Sequence, residues 1–136
     1  MPNHYNYATS KYCLTRPTLP TEYDEQCVLV EYLEYRGLLF SKTAQETFTR
    51  SWGIKAKNKA SGLRKGLPDM FIFISADQSK SGLPILACIE MKRTKGGETS
   101  PEQKAWIESL ASVSGIVATV AKGFDEARKF IDSYLK

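Results

Sequence analysis

Two short segments of this 136-residue chain place charged side chains at the ends of apolar, strand-like runs. Asp69 opens the apolar run 70–74, and Glu90 and Lys92 close the run that begins at Ile85. Residues two apart on a strand point to the same face, so Glu90 and Lys92 are expected to share one side of a sheet. If the two strands pair, two carboxylates and an ammonium gather at one edge, where burying them without a function would be costly.

Such a set of groups suits metal-assisted hydrolysis of a phosphodiester bond, in which a carboxylate-held cation absorbs developing charge. Asp69 and Glu90 would be the metal ligands, and Lys92 would polarise the attacking water or neutralise the transferring phosphoryl group. The metal would be Mg²⁺ or Mn²⁺, because the chain has one histidine, His4, and no CxxC pair. Taken singly, Asp69 also fits a turn after proline, and Glu90 and Lys92 fit a solvated strand face; their convergence favours a site.

The distribution of basic residues predicts a polyanionic partner. The net charge is +4, and residues 47–68 contain no acidic side chain. A solvated basic loop would have the same composition, but its position between the two halves of the candidate site favours a phosphate-binding surface. Phosphate contacts of this kind give DNA binding with little sequence specificity. The residues expected to make them are Arg50, Lys55, Lys57, Lys59, Arg64, Lys65, Arg93 and Lys95.

Length and composition favour one domain in a reducing compartment. The chain has the size of a single domain, with an irregular, proline-containing arm at residues 1–20 and the domain at residues 21–136. No apolar run approaches the ~20 residues of a membrane span, so no membrane partner is expected. Three widely spaced cysteines, Cys13, Cys27 and Cys88, indicate free thiols and a cytoplasmic location.

The order of helix and strand signals predicts an α/β (α+β) fold. The linker 75–84 between the two clearest strands is turn-rich and lacks a helical pattern, which favours an antiparallel hairpin. A strand at 38–42 and a helix near 57–63 have weaker signals. The predicted order is α-β-β-α-β-α, with helices at 22–36, from 101 to about 114 and at 124–135, and strands at 70–75, 85–92 and 116–120.

In this arrangement the chain resembles the PD-(D/E)xK nucleases, and among them the stand-alone VRR-NUC domains common in phages. The resemblance covers about residues 21–135. It implies a restriction-endonuclease-like core, a mixed central sheet flanked by helices, and a DNA endonuclease that depends on Mg²⁺ or Mn²⁺. The matching residues are Glu22, Glu25 and Gln26 in an acidic first helix, Gly66-Leu67-Pro68-Asp69, Glu90-Met91-Lys92, and the helix start Ser100-Pro101-Glu102-Gln103-Lys104-Ala105-Trp106.

The resemblance also implies roles for individual residues. Asp69, Glu90 and the Met91 carbonyl would bind the metal, and Lys92 would be the catalytic lysine. The glutamate that the family carries on its first helix corresponds to Glu22 if Gln26 sets the register, and to Glu25 if the helix end does. Both acids would also complement the helix dipole, so the choice stays open here.

Gln103 has two predicted roles. It fits the capping-box partner of Ser100, and by resemblance its amide would lie near the active site, holding Lys92 or the attacking water. A single side-chain rotamer is expected to serve one role or the other. The family's Asn-Gly stretch is absent before Arg50, where the chain reads Thr47-Phe48-Thr49, and Arg50 would keep the basic role of this loop.

Small nucleases of this architecture commonly act in pairs, so the resemblance implies a homodimer and branched or junction DNA as substrate. An alternative hypothesis is a nucleic-acid-binding module or nuclease subunit with little activity of its own. The sequence shows no P-loop, dinucleotide fingerprint or Ser/His/Asp set that would indicate another class of enzyme.

Overall fold

The structure is a computed structural model, and it describes residues 20–43 and 51–136. Mixed helices and strands confirm the α/β prediction, and the two weakly signalled elements, β1 and α2, are both present. The described elements are α1 (Glu22–Tyr35), β1 (Leu39–Lys42), α2 (Trp52–Ala60), β2 (Met70–Ile74), β3 (Ile85–Lys92), α3 (Pro101–Ala111), β4 (Ile116–Lys122) and α4 (Phe124–Asp132).

One four-stranded sheet runs through the described part of the chain in the order β1-β2-β3-β4. β2 pairs with β3 as the predicted antiparallel hairpin, with Met70 opposite Ile89. β1 is antiparallel to β2, whereas β4 is parallel to β3, which makes the sheet mixed. Because Asp69 precedes Met70 and Glu90 follows Ile89, the hairpin register brings these two acids opposite one another.

Helices cover both faces of the sheet. Alternate β2 residues, Met70, Ile72 and Ile74, are buried with the apolar faces of α1 and α4 in the main core. Tyr32 of α1 meets Phe124 of α4 edge to face, with ring centroids 5.9 Å apart. Since side chains alternate along a strand, Glu90 points to the other face, where α3 lies. Glu90 therefore lies on the face of the sheet opposite the main apolar core.

Caps at the helix starts fix the direction in which the site residues emerge. The Thr21 hydroxyl accepts from Asp24 N–H, and the Asp24 carboxylate accepts from Thr21 N–H, both at 3.1 Å. Thr21 is therefore the N-cap, which places Glu22 at the first position of α1. Ser100 caps α3 as expected, with Pro101 at the first helical position.

The described cysteines are unbridged thiols. Cys88 is buried in β3, and burial raises the pKa of its thiol to about 11, which suppresses thiolate reactivity. Cys27 is half-buried on α1. Cys13 lies outside the described residues.

Within the described residues, no helix has the length and apolarity required to span a bilayer.

Candidate active site

Asp69 is held at the entrance to β2 by backbone contacts on both sides. Its Oδ2 accepts a hydrogen bond from the Met91 backbone N–H at 2.8 Å, which ties the carboxylate to β3. Thr43, directly after β1, donates its N–H to the Asp69 carbonyl (2.8 Å) and its hydroxyl to the Pro68 carbonyl (2.5 Å). The Asp69 carboxylate is therefore held by β3, and its backbone is held by Thr43 on the other side of β2.

Glu90 has one saturated and one unsatisfied carboxylate oxygen. The residue is 3% exposed. Its Oε1 accepts from Gln103 Nε2 at 2.5 Å and lies 3.3 Å from the Lys92 ammonium. Its Oε2 is buried and has no hydrogen-bond partner among the described residues. A buried acceptor without a partner is costly in a native fold, so this atom calls for a ligand.

Burial raises the pKa of all three carboxylates of the site, and neighbouring groups modify the rise. Burial is the main cause for Glu90, and with the charge of Asp69 it outweighs Lys92 and raises the Glu90 pKa to about 7. Burial also raises the pKa of Asp69, and the Met91 hydrogen bond, Lys92 and the Glu90 side chain all oppose this rise. Burial and then Asp69 raise the pKa of Glu22, which Lys92 and Arg93 oppose. The site holds more negative charge than its cations neutralise, which favours a bound cation.

The oxygen donors fit a hard divalent cation. Among residues 20–43 and 51–136 there is no group of three or more histidine, cysteine or acidic side chains poised to hold a metal. Mg²⁺, however, is commonly bound through one or two carboxylates, with water and substrate phosphate completing its shell. Asp69 and the open Oε2 of Glu90 supply that pair, which fits Mg²⁺ or Mn²⁺ better than zinc.

The two candidate acids of α1 occupy different environments. Glu25 is buried; its Oε2 accepts from the Phe124 backbone N–H at 2.6 Å, and its Oε1 accepts from the Thr94 hydroxyl at 3.3 Å. It thus caps α4, whose N-cap residue Gly123 makes no side-chain cap. Glu22 instead lies close enough to Asp69 and Glu90 for their charges to interact.

Gln103 completes the capping box and reaches the candidate site in one rotamer, so the expectation that one rotamer serves only one role is wrong. Its partner at the site is Glu90, whereas the predicted partner was Lys92 or the attacking water. Its Oε1 accepts from Ser100 N–H at 2.9 Å while its Nε2 donates to Glu90. A primary amide carries an acceptor and a donor on opposite corners, and α3 lies so that one corner faces its own N-cap and the other the site. The capping box therefore orients the amide that holds Glu90.

A family model for the VRR-NUC domain matches residues 18–125. The chain belongs to the VRR-NUC family. A solved structure described as a VRR_NUC domain protein is 27% identical, with a TM-score of 0.59, and the alignment covers 86% of this chain and 89% of that one. No curated protein matches the chain. VRR-NUC domains belong to the PD-(D/E)xK superfamily, so membership implies nuclease-type activity with DNA as the substrate.

In this VRR-NUC domain the loop that carries Asp69 is clamped to α3. Gly66 has φ +95°, and a Cβ placed on it would lie 2.6 Å from the Glu102 carbonyl carbon. The Trp106 indole N–H donates to the Lys65 carbonyl at 2.9 Å. No contact of Trp106 or Thr43 is predictable from the sequence, although Trp106 belongs to the helix start that resembles the family. A glycine at position 66 is compatible with a close approach of the backbone to another element. Which element it approaches, here α3, depends on tertiary packing.

Gly66→Ala should lower DNA cleavage at least ~10-fold, because the new methyl group pushes the Asp69 loop away from α3 and misplaces Asp69 relative to Gln103. Gly62→Ala is the matched control, since Gly62 also has positive φ (+109°) but has nothing within 4 Å of the added Cβ. Both variants share the backbone strain, so the difference between their cleavage rates reports the clash. Equal rates would show that the loop is not clamped as described.

The predicted DNA-contacting residues form two exposed groups in the VRR-NUC domain. Lys55, Lys57 and Lys59 lie on α2, with Arg64 and Lys65 in the loop that follows, and all five are exposed. Arg93 and Lys95 are exposed just after β3, and Arg93 is close enough to Glu22 to oppose the rise of its pKa. The basic side chains thus extend from the helix before Asp69 to the loop after Lys92. Arg50 lies outside the described residues, and so does His4.

Proposed function

We propose that this VRR-NUC domain is a DNA endonuclease that requires Mg²⁺ or Mn²⁺. The observation that carries the proposal is the buried, unsatisfied Oε2 of Glu90, which lies in a cluster with Asp69 and Lys92. The Met91 carbonyl, between the two site residues of β3, is proposed as a further ligand. When bound, the cation supplies positive charge to the phosphoryl oxygens and to the leaving oxygen.

The side chains around the ligands have separate tasks in the proposed reaction. Lys92 donates from its ammonium to the attacking water or to the phosphoryl oxygen that gains charge. Gln103 holds Glu90 in place through the 2.5 Å hydrogen bond and keeps its open oxygen directed at the metal position. Glu22 is proposed as the α1 acid of the site, because it interacts with Asp69 whereas the Glu25 carboxylate is engaged at the start of α4.

Catalysis is tested by incubating supercoiled plasmid and branched DNA with the protein and Mg²⁺ or Mn²⁺. The wild type should nick or cut both, and Asp69→Ala should reduce the rate at least ~100-fold because a metal ligand is lost. Asp77→Asn is the matched control, since Asp77 is an exposed acid in the hairpin linker away from the site. Equal cleavage by Asp69→Ala and wild type would contradict the proposal, and DNA binding without cleavage would favour the non-catalytic binding module.

Selectivity for branched or junction DNA and pairing of two copies are part of the proposal. Pairing is supported by Leu39 and Phe73, which are register partners on β1 and β2 and remain 71% and 43% exposed. Apolar side chains on adjacent strands at the edge of a sheet are typical of a surface that another chain covers. Sedimentation of the wild type and of Leu39→Ser measures this, with a dimer expected for the first and more monomer for the second.

The proposed setting is a reducing, cytoplasmic one. The unbridged Cys27 and Cys88 support it, since disulfides are characteristic of oxidising compartments.

A further inference from the structure

Helix α2 contributes little to the packed body of the domain. It buries no residue, and only Asn58 of its nine residues is even half-buried. Isolated helices of this length are marginal in water, because nucleation costs more than a few hydrogen bonds return. The Ser51 cap and the lysines of the last turn, Lys57 and Lys59, add modest stabilisation. Packing against the described residues 20–43 and 61–136 therefore does not account for α2, and a partner would.

The most exposed large apolar side chain in the described ranges is on this helix. Trp52 is 83% exposed, and the Lys55 ammonium lies 5.6 Å from the centroid of its ring. This cation–π contact keeps a positive charge over one face of a largely exposed indole ring. The other face of the indole can stack on a nucleobase while the ammonium contacts an adjacent phosphate.

The charge around Trp52 favours nucleic acid over an apolar protein surface. The described stretch 51–68 has no acidic residue, and its basic side chains are all exposed. Aromatic side chains set among basic ones bind single strands by stacking on bases and pairing with phosphates. Bases of an intact duplex are already stacked on one another, so this surface suits nucleotides that are unpaired.

The chain between α2 and Asp69 is short and held at both ends. After α2, Leu63 N–H donates to the Asn58 carbonyl (2.9 Å) and Arg64 donates to the Lys59 carbonyl (3.0 Å). Trp106 then fixes the Lys65 carbonyl against α3. The eight residues from 61 to 68 can span at most about 28 Å, and α2 itself adds about 13 Å. Trp52 therefore lies within about 40 Å of Asp69, so one single strand can reach both.

We propose that α2 is a stacking site for an unpaired nucleotide, in which Trp52 stacks on the base and Lys55 contacts the neighbouring phosphate. The inference rests on DNA being the substrate of the proposed nuclease. It adds the place on the protein where unpaired nucleotides are recognised. It predicts that the enzyme engages a single strand next to a duplex.

The test measures binding of a labelled single strand and of the corresponding duplex in EDTA, where binding is scored without cleavage. Trp52→Ala should weaken single-strand binding ~10-fold, as expected for loss of one stacking contact, and duplex binding less than ~2-fold. Trp52→Phe should retain most of the single-strand affinity, because it keeps an aromatic face. Tyr35→Ala, at an exposed aromatic near the end of α1, is the control and should match the wild type.

Two outcomes would overturn this inference. One is equal loss of single-strand and duplex affinity, or no loss, in Trp52→Ala. The other is a change in sedimentation with unchanged DNA affinity, which would make α2 a protein interface. Because the assay needs no catalysis, Trp52-dependent binding in a protein that never cleaves DNA would refute the nuclease proposal alone. If the wild type cleaves DNA but Trp52→Ala binds single strands as tightly as the wild type does, the stacking site alone is refuted.

Discussion

Lys92→Met is expected to lower DNA cleavage roughly 100- to 1000-fold while leaving DNA affinity within about 3-fold. The Lys92 ammonium lies 3.3 Å from Glu90 Oε1 and opposes the raised pKa values of Asp69, Glu90 and Glu22. Methionine keeps the unbranched length of the side chain and removes its charge and donors. The loss should appear in the rate of single-turnover cleavage, since the proposed role is in the chemical step.

Lys80→Met is the matched control for this substitution. Lys80 is an exposed lysine in the hairpin linker, at the end of β2 away from Asp69. Its removal changes the net charge by the same amount and should leave the cleavage rate within about 2-fold of the wild type. A Lys92→Met protein that cleaves as fast as Lys80→Met would remove the lysine from the proposed mechanism.

Glu90→Gln is expected to have two opposite effects: cleavage is lost, and the metal-free protein becomes more stable at pH 8. Burial and the Asp69 charge destabilise the ionised Glu90 side chain, whereas an amide has no charge to bury. The glutamine carbonyl can still accept from Gln103 and Lys92, and its NH₂ can donate toward Asp69. The free energy of unfolding should rise by on the order of 1–3 kcal/mol, a gain typical when a functional charge cluster is relieved.

The pH dependence gives this prediction a definite sign. The pKa of Glu90 is about 7 in the folded chain and near 4.5 when the chain is unfolded, so the folded state binds more protons between these values. The contribution of Glu90 to the free energy of unfolding of the wild type therefore falls as the pH rises from about 4.5 to 7. Urea unfolding in EDTA should show Glu90→Gln well above wild type at pH 8 and close to it at pH 4.5. A variant that is less stable than wild type at pH 8 would contradict the claim that the ionised Glu90 carboxylate destabilises the metal-free fold.

The hairpin that pairs Asp69 with Glu90 could be predicted from the sequence because its signals are local. Two apolar runs and a turn-rich linker specify antiparallel strands, and their register follows from the positions of the runs. The α3 start was predictable for the same reason, since Ser100, Pro101 and Gln103 form a cap within one turn. Each of these signals lies within about ten residues of the structure that it predicts.

The choice between Glu22 and Glu25 could not be made locally. Residues three apart lie on adjacent positions of one helix face, so helical periodicity treats the two acids alike. The two acids differ in the structure because the Phe124 backbone N–H, distant in sequence, donates a hydrogen bond to Glu25. The double role of Gln103 could not be predicted locally for a similar reason. Its second partner, Glu90, lies on β3 and comes close only in the folded chain.

Helix α2 gave a weak signal because it has no buried face. Amphipathic periodicity reports a stripe that packs on a core, and every apolar residue of α2 is exposed. The expected helix near 57–63 thus began five residues late and extended past Ala60, the observed end. The same lack of a buried stripe is what singles out α2 as a surface for a partner.

Crystals soaked in Mn²⁺ and measured at a wavelength where manganese scatters anomalously test the central claim most directly. A peak within coordination distance of an Asp69 carboxylate oxygen and Glu90 Oε2, absent from crystals of Asp69→Asn treated in the same way, is the predicted result. A saturated soak that leaves these oxygens without a peak, or that places manganese on other residues, would contradict a metal-dependent nuclease site at the end of the hairpin.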